Sequence, residues 1–203
     1  MRKLVVLCCA LVLLTSCIGI DSRMTIRDNG SGTLSLTYRV SQLVTELGVS
    51  STGRSAIPLP LSRTDFDRAL AATAGTVRLT SFDRGENEKD ITIRAQLAFD
   101  SVDALAKIDA FHDADLKLAS QGSDRTFSQL VARAPRQPLT DDSKRMLDAL
   151  FDGYDLSFVL EAPRPIKDSS LGTLSADKRT LTYTTSVKDA LSTARDLVLS
   201  ASW

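Results

Sequence analysis

Apolar and polar residues alternate along five stretches of this chain, and that period of two is what most constrains its fold. Leu34, Leu36, Tyr38 and Val40 fall on one face of an extended segment, with Thr33, Ser35, Thr37 and Arg39 on the other. Ile91, Ile93, Ala95, Leu97 and Phe99 repeat the pattern, as do Tyr154, Leu156, Phe158 and Leu160. Leu181, Tyr183 and Val187 follow it less cleanly, and Leu197, Leu199, Ala201 and Trp203 close the chain with it. Successive side chains of a strand point to opposite faces, so each stretch predicts a strand with one dry and one wet face. That is the signature of antiparallel pairing. Asp28-Asn29-Gly30-Ser31-Gly32 predicts a hairpin turn after Met24–Arg27, because Asn-Gly accepts positive φ. Residues 84–89 turn between strands at Thr76–Asp83 and Asp90–Phe99, and Ala176-Asp177-Lys178-Arg179 turns a late hairpin.

Helical signals are shorter. Thr64-x-x-Asp67 fits a capping box, followed by Phe66, Ala69, Leu70 and Thr73 at helical spacing until Gly75. Ser101 starts a second helix carrying Val102, Leu105 and Ile108. A third begins at Thr140, where Asp141 and Asp142 suit the positive end of the helix dipole, and it stops at Gly153. Short turns of helix are expected at Ser41–Leu47 and Val187–Ser192. Strands and short helices in mixed order, without long β-α-β units, predict an α+β fold. We expect a mainly antiparallel sheet with short helices packed on one face, in two layers. The similarity of residues 33–44 to 180–191 is what amphipathic strands followed by serine produce without any duplication.

The N-terminus has a different character. Arg2 and Lys3 precede an unbroken apolar run from Leu4 to Leu14, and then Thr15-Ser16-Cys17. As a helix the run spans ~16 Å, short of a ~30 Å hydrocarbon core, so it reads as a signal-peptide core rather than a spanning helix. Leu14-Thr15-Ser16-Cys17 resembles the lipobox of bacterial lipoproteins: an aliphatic residue, two small residues and the cysteine to be modified. The resemblance implies that the Cys17 thiol takes a diacylglyceryl group, that the bond before it is cleaved, and that the new amine is acylated in many bacteria. The alternative, secretion through an ordinary signal peptidase, lacks an Ala-x-Ala-like site after the run. The expected organisation is a signal peptide over residues 1–16, a lipidated N-terminus and short tether over 17–23, and one α+β domain over 24–203.

Cleavage changes the arithmetic. The full chain balances 25 basic against 25 acidic residues; without Arg2 and Lys3 the mature form carries about −2. No basic surplus points to nucleic acid. Cys8 and Cys9 leave with the signal peptide, so Cys17 is the only mature cysteine and no internal disulfide supports the fold. Acyl chains contribute ~0.8 kcal/mol per buried CH₂, enough for a stable anchor without protein contacts. Ile18 after the cysteine is no aspartate-type retention signal, which favours an outer membrane where the cell has one.

Catalytic motifs are missing. There is no G-x-S-x-G elbow, H-E-x-x-H, C-x-x-C, P-loop or Rossmann glycine pattern. The single histidine, His112, lies in Asp109-Ala-Phe-His-Asp-Ala-Asp115, where Lys117 breaks a calcium-loop pattern, so no metal and no cofactor are expected. Asp141 and Asp142 are explained by helix capping, and Glu86 and Glu88 by a solvated turn. Ile57-Pro58-Leu59-Pro60-Leu61 is an apolar, Pro-rich stretch in a polar connection, either a clasp over the core or a lid over an apolar groove. Arg136, Arg164 and Lys167 sit in or beside two Pro-rich loops after strands. Were those strands neighbours, the three would meet at one sheet end and could bind an anion; otherwise they are solvated.

Residues 24–203 resemble the LppM-type domain of bacterial lipoproteins. The shared cues are the Asn-Gly-Ser-Gly hairpin after Cys17, alternating strands with short helices, a Pro-containing turn after Phe158–Ala162, and closing strands that end at Trp203. The resemblance implies an envelope-associated, lipid-binding domain. The chain has Pro163-Arg164 where that family has a Pro-Gly turn, so ligand chemistry is not carried over. The sequence thus predicts a membrane-anchored, non-catalytic binding module for an amphipathic lipid or envelope component. A structural or assembly lipoprotein that binds another envelope protein is the alternative, and an enzyme with only Asp, Ser and Arg chemistry ranks third.

Overall fold

The structure, a computed structural model, describes residues 18–42, 59–135, 137 and 139–203. Cys17, Ile57, Pro58, Arg136 and the expected helical turn beyond Gln42 lie outside the described residues. The elements run β1 (Ile18–Ile26), β2 (Gly32–Ser41), α1 (Arg63–Ala71), β3 (Val77–Glu86), β4 (Asp90–Phe99), α2 (Val102–Leu105) and a 3-10 helix (Asp109–Ala114). They continue with β5 (Lys117–Gln121), β6 (Asp124–Ala132), α3 (Asp141–Phe151), β7 (Asp155–Glu161), β8 (Asp168–Ser169), β9 (Thr173–Leu174), β10 (Thr180–Ser186), α4 (Val187–Ser192) and β11 (Leu197–Ser202). The fold is α+β, as the alternation predicts. Among the described residues no helix is long and apolar enough to cross a membrane.

Two sheets are present where the sequence suggested one. The larger has seven strands in the order β3-β4-β2-β1-β7-β10-β9, and the smaller four in the order β5-β6-β11-β8. All pairings are antiparallel except β1 with β7, which run parallel from Ile20↔Leu156 to Thr25↔Glu161. The β1–β2 register runs from Ile18↔Val40 to Ile26↔Gly32. Residues 18–23, expected as a tether, are therefore two-thirds of the central strand. Ser22 breaks the apolar face that Ile20, Met24 and Ile26 share, and the segment's place directly after the lipobox masks the rest of the alternation.

The turn at Asn29-Gly30 forms as its chemistry requires. Gly30 adopts φ +84°, and the Asn29 carbonyl side chain accepts from the Ser31 amide at 3.0 Å and the Ser31 hydroxyl at 2.7 Å. Gly32 is fixed by close approach instead. A Cβ there would overlap the Thr25 carbonyl oxygen and the Phe99 ring.

The dry faces of β2 and β4 meet the helices and the second sheet in one core. Leu34, Tyr38, Val40, Ile93, Leu97 and Phe99 are buried together with Phe66 of α1, Leu105 of α2, Phe127 of β6 and Leu199 of β11. Trp203 is 1% exposed and joins this core, its backbone paired in both directions with Arg125. Ser101 and Ser186 cap α2 and α4, and Thr140 caps α3, with side chains accepting from Ala104, Asp189 and Ser143 amides. The α1 cap is a correction. Ser62 rather than Thr64 accepts from the Asp65 amide, and its hydroxyl bonds the Asp65 carboxylate at 2.7 Å, so the box starts two residues earlier.

Candidate functional site

Two clefts open on the larger sheet. The first is apolar and lies against the dry face of β2 and β4. Leu36, Tyr38 and Leu97 form its floor, Phe66, Ala69 and Leu70 of α1 one wall, and Ile108, Ala110 and Phe111 the other. Leu59 and Pro60 close it. The space left inside is about 10 Å³, room for about one water and no more. The described part of the Pro-rich stretch is thus a clasp seated in an apolar groove.

A hydrogen bond fastens that clasp. The Tyr38 hydroxyl donates to the Pro60 carbonyl from within the apolar lining. Burial, reinforced by the Asp65 carboxylate, pushes the Tyr38 phenol well above its ordinary range, so the hydroxyl stays a donor at any physiological pH. Leu61 leads directly into the Ser62 cap, so the clasp ends where α1 is pinned. Phe66 packs edge-on against Phe82 of β3 at 5.7 Å and steadies the α1 wall.

The second cleft is open, about 420 Å³, and lined by both charged and apolar groups at the C-terminal ends of the parallel pair β1 and β7. Thr25, Arg27, Asp28, Glu161, Pro163 and Arg179 line it. The Thr25 hydroxyl donates to Glu161 at 2.7 Å, and Arg23 pairs with the same carboxylate. The Thr25 bond, with help from Arg23, holds Glu161 below the usual carboxylate range against the opposing effect of partial burial.

The other residues singled out in the sequence go elsewhere. β6 and β7 belong to different sheets, so the strands before the two Pro-rich loops are not neighbours and the condition for an anion site at one sheet end is not met; Arg136 itself lies outside the described residues. Arg164 faces Asp28 at 3.3 Å and donates to the Ser123 carbonyl at 3.3 Å. Lys167 pairs with Asp124 at 2.6 Å. These cations are answered by carboxylates. His112 lies in the 3-10 helix, and Asp115 pairs with Lys117 at 2.9 Å. Among the described residues no three His, Cys, Asp or Glu side chains converge on a metal position. Asp141 and Asp142 are exposed in the first turn of α3, each paired three residues on with Lys144 and Arg145.

One buried polar pair escapes sequence reading. The Tyr154 hydroxyl donates to Asp90 at 2.6 Å, with both residues buried. Arg39 and Lys89 lie over the Tyr154 ring at 5.4 and 5.6 Å, and Arg39 also donates to the Gly153 carbonyl at 3.0 Å. This clamp ties the start of β4 to the start of β7 across β2 and β1. Its only sequence signal is an aspartate opening a strand, which alone says nothing of a distant tyrosine.

No family model matches the chain, and no curated protein is significantly similar to it. Among solved structures, the folded domain of LppM from Mycobacterium tuberculosis is similar, with a TM-score of 0.50 and 10% sequence identity over 93% of this chain and 90% of that one. At that identity the likeness is one of fold: this chain shares the layout of the LppM folded domain.

Proposed function

We propose that the protein is a lipid-anchored lipoprotein of the bacterial envelope, acylated at Cys17, whose domain binds an amphipathic lipid without catalysing a reaction. The single observation that carries the binding half is the apolar groove filled by Leu59 and Pro60 and latched by Tyr38. A groove walled by Leu36, Leu97, Phe66 and Phe111 suits an alkyl chain once the clasp lifts, each buried CH₂ contributing ~0.8 kcal/mol. The lipobox at Leu14–Cys17 and the fold shared with a lipoprotein domain support the envelope half. The test is uptake of a fluorescent fatty acid by the purified protein. Saturable binding lost on Leu36→Asp, with the fold retained by circular dichroism, supports the reading, and no uptake by the parent protein refutes it.

A second reading, an assembly lipoprotein that pairs with another envelope protein, draws on β3. This ten-residue strand forms an edge of the larger sheet with its outer side unpaired among the described strands. The register shift between Leu79 and Ser81, with Thr80 turned to the Gln96 carbonyl at 3.0 Å, blunts that edge and makes this the weaker case.

A further inference from the structure

The anchor and the sheet are joined without a spacer. Ile18, the residue after Cys17, is already paired with Val40, and β1 is the fourth of seven strands, held by β2 on one side and β7 on the other. One residue of extended chain reaches at most ~3.6 Å, so an acylated Cys17 cannot let the domain swing away from the bilayer. We infer that the lipid surface covers one end of the larger sheet: the protein stands end-on, with the starts of β1, β4 and β7 and the ends of β2 and β10 at the headgroups. This rests on the acylation of Cys17 proposed above.

The registers then assign a height to each cleft. Tyr38 pairs with Ile20, two residues into β1, and so lies only ~7 Å from the membrane end at ~3.3 Å per residue. The Tyr38–Pro60 latch of the apolar groove is therefore on the side of the leaflet that holds the anchor, and a lipid reaches the groove from that leaflet. Ile26 lies eight residues along β1 and Thr180 pairs with Glu161 at the end of β7, so the second cleft stands ~26 Å from the membrane end, ~20 Å above Tyr38, and faces away from this membrane.

Among the described residues the membrane end is polar: Glu88, Asp152 and Asp155 are exposed there, while Lys89 and Arg39 lie over the Tyr154 ring. Such side chains suit the headgroup layer. Orientation comes from the missing spacer, so it holds equally on neutral and anionic bilayers.

The test uses the full lipidated protein reconstituted in phosphatidylcholine vesicles with headgroup-labelled acceptor lipid. Glu88 in the β3–β4 turn and Ala176 in the β9–β10 turn are both exposed, at opposite ends of the sheet. With the Cys17 thiol acylated, Glu88→Cys and Ala176→Cys each present a single thiol for a fluorophore. We expect energy transfer several-fold greater from position 88 than from 176. A ten-residue Gly-Ser insertion between Cys17 and Ile18 should erase the difference. Equal transfer from both positions without the insertion, or greater transfer from 176, overturns the end-on placement. The mass of the N-terminal peptide separates the two claims: an unmodified Cys17 defeats the anchor and the placement together, whereas an acylated Cys17 with equal transfer defeats the placement alone.

Discussion

Replacing Tyr38 by Phe removes the oxygen that latches the clasp and leaves the ring that packs the core. The lost bond joins a residue 1% exposed to the Pro60 carbonyl, and a neutral hydrogen bond of this kind contributes about 0.5–1.5 kcal/mol net. In the parent protein that energy must be given up whenever a ligand displaces Leu59 and Pro60. The variant is spared it. At about 1 kcal/mol the fatty-acid Kd should fall roughly fivefold, while thermal unfolding drops by roughly 2–4 °C. Both are read on the same samples, by fluorescence titration and differential scanning fluorimetry. The high phenol pKa adds a second signature. The folded state keeps the Tyr38 proton where the unfolded chain loses it near pH 10, so stability from this residue is whole below about pH 10 and falls as pH rises further. Tyr38→Phe should flatten that alkaline loss. A variant that loses thermal stability but binds fatty acid with unchanged or weaker affinity refutes the latch and leaves Tyr38 as packing only.

Three further outcomes test the frame around the groove. Gly32→Ala forces a Cβ into the Thr25 carbonyl and the Phe99 ring, and chemical denaturation should show about 1–3 kcal/mol lost. Tyr154→Phe leaves the buried Asp90 carboxylate short of a charge-assisted donor and should lower the melting temperature by roughly 3–12 °C, about 1.5–3 kcal/mol. Glu161 is held below its unfolded value near 4.3, so it stabilises the fold above that pH and loses the contribution as pH falls through its folded value. Glu161→Gln should therefore be less stable at pH 7 and show a shallower acid unfolding curve below about pH 5 in stability measured by circular dichroism.

Where the sequence was legible, one physical signal dominated. β2 and β4 bury every second residue, and the alternation from Leu34 and from Ile91 places them within a residue of their observed limits. Gly30 and Gly153 marked a turn and a helix end because both need positive φ. β5 and β6 were not readable: Lys117-Leu-Ala-Ser-Gln and Asp124–Ala132 carry few apolar residues on a common face, and the β11 partner of β6 comes from the far end of the chain. β1 was read as a tether because Ser22 breaks the alternation of Ile20, Met24 and Ile26 and the segment directly follows the lipobox, whereas pairing with β2 and β7 makes it a strand. The apolar stretch at Leu59–Leu61 announced a need for burial, and the structure supplies the groove. The latch was invisible, since Tyr38 looked like one more core residue and Pro60 offers only a backbone carbonyl. The basic loops left two readings open because the chain shows arginines and lysines readily but not the carboxylates, Asp28 and Asp124, that meet Arg164 and Lys167.

The central claim is that an acylated lipoprotein holds a lipid in the groove beneath its clasp, and native mass spectrometry of the detergent-extracted full protein tests it most directly. The account predicts a chain beginning at Cys17 with the mass of its covalent acyl groups, together with a second species heavier by one non-covalently held lipid that the Leu36→Asp variant lacks. A chain without acyl mass on Cys17, or an acylated chain that carries no lipid and cross-links instead to a protein partner along β3, would contradict it.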